Sequence, residues 1–117
     1  MKLDKLASII DELGAKAYKR KKKNLEQFFA VLGAKFAESI FLKSNQTKRA
    51  IWLFDLAPNI MYDQIKEYLS VLKIEEQKEA IKDLTLLINE EQRIGRQSPE
   101  RADLIRRIFN QVEEQLK

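Results

Sequence analysis

From Leu6 onward the apolar residues of this chain fall three or four positions apart: Leu6, Ile10, Leu13 and Ala17, then Leu25, Phe28, Phe29, Leu32, Phe36 and Ile40. A backbone that turns once every ~3.6 residues gathers such positions onto one face, whereas a half-buried strand requires strict alternation. The spacing returns in Met61, Ile65, Leu69 and Leu72, in Ala80, Ile81, Leu84, Leu87 and Ile88, and in Ala102, Ile105, Phe109, Val112 and Leu116. Three Gly and two Pro in 117 residues leave few places for turns. The expected fold is therefore all-α, a bundle of four to five helices with a long N-terminal helix, continuous or broken. The length suits a single domain over residues 1–117, with 1–43 as a long basic helix or helix pair and 47–117 as a helical bundle.

The boundaries are unequally marked. Between Ala17 and Leu25 the apolar stripe is interrupted, because Arg20 or Lys21 and then Asn24 stand where it should continue. One long helix with a solvated middle fits this, as do two helices hinged near Lys21 to Asn24. The absence of Pro, and of Gly between Gly14 and Gly33, favours the single helix. Ser44, Asn45, Gln46 and Thr47 predict a loop. Ala50 to Phe54 is apolar on every side and reads as a short central helix ending before Pro58. A helix follows from about Asn59 to Lys73, and another after Ile74, closed by Gly95 as a left-handed C-cap. Ser98, Pro99 and Glu100 supply an N-cap hydroxyl, a proline at the first helical position and an acid near the positive end of the dipole, so a last helix starts there.

Charge is distributed unevenly. Residues 1–58 hold twelve Lys and Arg against six acids, and residues 59–117 hold ten against twelve. Six of the eight residues from Lys16 to Lys23 are cationic. On one helix Lys16, Lys19, Arg20 and Lys23 stand at i, i+3, i+4 and i+7, a positive ridge about two turns long with Lys22 at its edge. A phosphate backbone would relieve the repulsion within that ridge and release counterions. Lys43, Lys48 and Arg49 are candidates to extend the patch, as are Arg93, Arg96, Arg101, Arg106 and Arg107, although Arg101, Arg106 and Arg107 read as scattered surface charge.

Other features carry less. Residues Thr47 to Lys73 match a helix-turn-helix poorly, since the second helix would begin with Ile60, Met61 and Tyr62 and with Asp63 opposing phosphate. Trp52, Phe54, Phe28 and Phe29 fit core packing, with a subunit interface as the other use for such wide apolar faces. The pairs Glu75/Glu76, Glu90/Glu91 and Glu113/Glu114 diverge by ~100° on a helix and read as solvated faces. With no His and no Cys, no glycine-rich phosphate cradle and no metal-ligand spacing, an enzyme is not expected and no cofactor is called for. The longest uncharged run, Gln27 to Ala34, is far short of the ~20 apolar residues that span a bilayer, so no integral membrane association is expected and a cytoplasmic location is the default.

The function expected from these residues is a small non-enzymatic binding module. It would dock on a nucleic acid backbone through Lys16, Lys19, Arg20, Lys22 and Lys23, extended by Lys48 and Arg49, without base-specific readout. The alternative is a helical protein–protein interaction adaptor or oligomeric assembly subunit, working through an apolar helix face, with the basic segment meeting an acidic protein partner.

Overall fold

The computed structural model describes the backbone of residues 2–41 and 51–116 and the side chains of 5–39 and 51–116. Among these residues the chain is all-α, as its periodicity requires: five α-helices, one 3₁₀ turn and no strand. The helices are α1 (Lys2–Lys19), α2 (Lys23–Phe41), α3 (Pro58–Ser70), α4 (Ile74–Arg93) and α5 (Pro99–Leu116), with the 3₁₀ turn at Leu53–Asp55. The expected loop at Ser44 to Thr47, and Lys43, Lys48, Arg49 and Ala50, lie outside the described residues.

The N-terminal segment is two helices and not one. α1 stops at Lys19 because Lys21 takes a left-handed conformation, φ 57°. The Lys22 amide then donates to Ala17 O at 3.0 Å and the Lys21 amide to Tyr18 O at 3.0 Å, the paired bonds of a Schellman motif. The chain reverses within three residues. Gly14 on α1 lies over Phe29 on α2, and Gly33 on α2 lies over Ile10 on α1, so the two helices run antiparallel as a hairpin. A Cβ at Gly33 would stand 3.2 Å from Ile10 Cγ2, so the closeness of the helices depends on the missing side chain there.

The gap in the apolar stripe is thus explained by a turn: the buried line Leu6, Ile10, Leu13 and Ala17 ends with α1, and Leu25, Phe28, Phe29, Leu32 and Phe36 begin again on α2. α1 also lies along α4, held at one end by Lys5 Nζ to Glu90 at 3.4 Å and at the other by Arg20 on Glu79. That pairing makes α1 antiparallel to α4. α3 and α4 pack on α5. Ser98 Oγ accepts the Arg101 amide at 3.1 Å, so the N-cap expected for α5 is present. Gly95, with φ 80°, closes α4 in a second Schellman motif, its amide donating to Gln92 O at 3.1 Å and the Arg96 amide to Glu91 O at 2.9 Å.

The segment around Trp52 departs from the helix expected over Ala50 to Phe54. Trp52 has extended backbone (φ −60°, ψ 140°), and only Leu53–Asp55 turn, in 3₁₀ geometry. Enclosure was legible for Trp52, Leu53 and Phe54 but not for Ile51, which is exposed; the conformation was not, because a short apolar run has no amphipathic phase to betray it. Trp52, Leu53 and Phe54 are nevertheless buried. Their rings form a ladder from the hairpin to the last helix: Phe36 on α2 to Trp52 at 4.9 Å, Trp52 to Phe54 at 5.3 Å, and Phe54 to Phe109 on α5 at 5.9 Å between centroids. The buried apolar side chains of all five helices belong to one contiguous cluster.

Candidate functional site

The cationic cluster is divided by the hairpin turn. Lys16, Lys19 and Arg20 are on or just past the end of α1, Lys21 and Lys22 form the turn, and Lys23 opens α2, so the four-residue stripe expected on one helix does not exist as such. Arg20 and Lys22 reach across to Glu79 on α4, with Lys22 Nζ 2.7 Å from Glu79 Oε2. Burial would raise the carboxyl pKa of Glu79, but its bonds to Lys22 and Arg20 outweigh that and hold it below the ordinary value. One turn further along α4 lies the buried Asp83. Burial raises its pKa, with the charge of Lys16 opposing. The inner members of the cluster, Arg20 and Lys22, are therefore paired with an acid of the chain's own α4.

The outer half faces water. Lys19, Lys21 and Lys23 are exposed and make no ion pair among the described residues. Lys21, Lys22 and Lys23, with Asn24, line a cleft of about 450 Å³ whose other wall is Lys73, Glu75 and Glu76 at the start of α4. The Glu76 carboxylate is committed to its own helix, accepting the Lys73 amide at 3.1 Å, which leaves Glu75 as the exposed acid of that cleft.

Asn24 leads into a second cleft, of about 360 Å³, lined by Asn24, Gln27, Phe28, Val31, Glu67, Tyr68 and Val71. It exists because the backbones of α2 and α3 come into little direct contact. Phe28 and Tyr68 bridge the gap edge to face, their centroids 6.4 Å apart, and form its floor. Burial, with the charge of Glu67 adding, pushes the Tyr68 phenol pKa up, so the ring stays neutral at physiological pH. A third cleft of about 300 Å³ continues past Tyr68, lined among others by Leu32, Lys35, Ile51 and Leu56. The first and second clefts meet at Asn24 and the second and third at Tyr68, so the three adjoin, the last two forming a furrow along the α2–α3 face. Val71 is 71% exposed, Ile51 61% and Val31 39%. An apolar furrow of this kind was not anticipated, since the spacing of Val31 and Val71 reads the same whether their face is covered or open.

Elsewhere several charged residues are structural. Glu91 is fully buried, which corrects its assignment to a solvated face. Its carboxylate accepts the Trp52 indole N–H at 2.8 Å, Arg96 at 3.0 Å and Gln97 at 3.2 Å. Burial pushes its pKa up against these donors. Arg96 also holds Asp55 by two bonds, of 2.9 and 2.7 Å. Arg101, read from sequence as surface charge, donates to the carbonyls of Phe54, at 3.0 Å, and Leu56. Arg106 likewise bridges to Asn89, Gln92 and Asp103. These residues fasten the Trp52 segment to the α4–α5 corner and α5 to α4; the sequence hid the first because Trp52, Asp55 and Phe54 lie 39, 41 and 47 positions from Glu91, Arg96 and Arg101.

No family model matches the chain, and no similar curated protein or solved structure was found. No helix among the described residues is long and apolar enough to cross a membrane. Among those residues, too, no group of three or more acids is placed to hold a metal ion.

Proposed function

We propose that the protein is a non-enzymatic helical adaptor that binds another protein in the furrow between α2 and α3. The observation that carries this reading is the exposure of Val31, Ile51 and Val71 on the walls of two clefts that adjoin at Tyr68, beside the Phe28–Tyr68 ring pair. Scattered exposed apolar residues are ordinary, but grouped ones in a concave surface mark interaction sites. Supporting it further, two of the cations expected to meet a polyanion, Arg20 and Lys22, are paired with Glu79. The test is substitution at the surface: Val31→Glu and Val71→Glu lose partner binding while the thermal unfolding midpoint changes little, and Leu86→Glu, at an exposed apolar residue of α4, leaves binding intact. Equal loss in all three variants, or none, refutes the furrow as the binding surface.

Docking on a nucleic acid backbone is the second reading, favoured by the exposed Lys19, Lys21 and Lys23 at the hairpin tip. With three phosphate contacts the logarithm of affinity should fall with the logarithm of salt at a slope of about −2 to −3. Lys19→Glu, Lys21→Glu and Lys23→Glu combined should abolish binding to a labelled oligonucleotide. Affinity that survives those changes ends this reading.

A further inference from the structure

The furrow has a charge pattern as well as an apolar floor, and together they specify an occupant. On α2 its wall runs from Asn24 through Gln27, Phe28 and Val31 to Lys35. At 1.5 Å per residue this is about 16 Å, or three helical turns. On α3 the facing wall runs from Gln64 through Glu67 and Tyr68 to Val71. Two helices held apart over a floor of side chains leave room for a third to lie between them, with anchors at i, i+3 or i+4, and i+7.

The ends of the furrow are basic. Lys21, Lys23 and Lys73 stand at the hairpin end, where Lys22 is already held by Glu79 and Glu76 by its own helix, with Glu75 as the one exposed opposing acid of that cleft. Lys35 stands at the other end. The middle carries the opposite sign, in Glu67. A basic helix would be repelled at both ends, and an acid in the middle of an acidic one would be repelled by Glu67.

We infer that the furrow binds a short amphipathic helix of a partner protein, apolar along one stripe and acidic at its two ends. This rests on the adaptor reading and names its partner by chemistry. The basic tip then steers an acidic segment in and fixes its placement, while Val31, Val71 and the Phe28–Tyr68 floor hold the apolar stripe.

A displayed library of helix-forming peptides, about four turns long, selected on the full chain, tests it directly. The expected result is enrichment of Leu, Ile, Met or Phe at i, i+3 or i+4, and i+7, with Asp or Glu at both ends. For a synthetic peptide of the enriched pattern, Val71→Glu should weaken binding at least tenfold, Leu86→Glu should leave it unchanged, and the pair Lys21→Glu and Lys23→Glu should weaken it severalfold, as high salt does. Enriched peptides that Val31→Glu and Val71→Glu do not weaken would overturn the inference and leave an adaptor with a different surface. Recovery of no binders overturns both. Basic-ended binders, self-association of the chain that Val71→Glu abolishes, or an oligonucleotide that displaces every selected peptide would each overturn it, the last two in favour of a second copy or a nucleic acid.

Discussion

Lys21 and Gly95 occupy the same position in two copies of one helix-ending motif, with φ of 57° and 80°. For a residue with a Cβ the left-handed region costs about 1–2 kcal/mol, and glycine escapes that penalty. Lys21→Gly should therefore raise stability by up to about 1 kcal/mol, read in chemical denaturation, the gain being trimmed by the entropy glycine adds to the unfolded chain. A loss of stability would mean that the lysine side chain contributes more to the turn than its backbone strain takes away. At Glu91 the expectation runs the other way. Glu91→Ala leaves the Trp52 indole, Gln97 and one face of Arg96 without their acceptor in the core, and should cost about 3–5 kcal/mol. Trp52→Phe, which removes one donor to Glu91 and keeps most of the ring packing, should cost less than half as much, and an equal loss would place the importance in the ring and not in the bond.

Among the elements, the α1–α2 hairpin is fastened at its tip by Glu79, whose folded pKa lies below its ordinary value of 4.5. A depressed carboxyl pKa contributes stability that is fully present above the unfolded value and is lost as pH falls through the folded one. Wild type should thus exceed Glu79→Gln in stability at neutral pH, and the difference should shrink once the pH drops below about 4.5, as urea denaturation at a series of pH values would record. A difference that persists in strong acid would assign the effect to packing. Helical periodicity revealed α4 and α5 nearly to the residue, because each has one buried face and a marked boundary, as at Ser98–Pro99 and Gly95, while α3 ends at Ser70, three residues before the expected Lys73. It could not separate α1 from α2. A lysine in the left-handed region leaves no mark in composition, and the polar gap from Lys19 to Asn24 suits an exposed helix as well as a turn. The Trp52 segment was identified as enclosed, yet its extended backbone depends on Phe36, Phe54 and Glu91 around it, which only tertiary structure brings together.

On the scale of the whole molecule, the basic cluster that dominates the sequence serves two ends. Its inner members tie the hairpin to α4, and its outer members stand at one mouth of the α2–α3 furrow. Linear sequence locates the cluster but not this division, since Glu79 is 59 positions from Arg20 and 57 from Lys22. The furrow was illegible for the same reason: helices α2 and α3 each show an ordinary apolar stripe, and the space between them is a property of how they pack. Binding there should proceed with little rearrangement of the backbone, because the floor of Phe28 and Tyr68 is already formed. The most direct measurement is amide chemical-shift mapping of the full chain titrated with a selected acid-ended amphipathic peptide. We expect the perturbed residues to run along Asn24, Phe28, Val31 and Lys35 on one side and Gln64, Tyr68 and Val71 on the other; shifts confined to Lys16 to Lys23, or gathered around Leu86 on α4, would contradict a furrow that holds a partner helix.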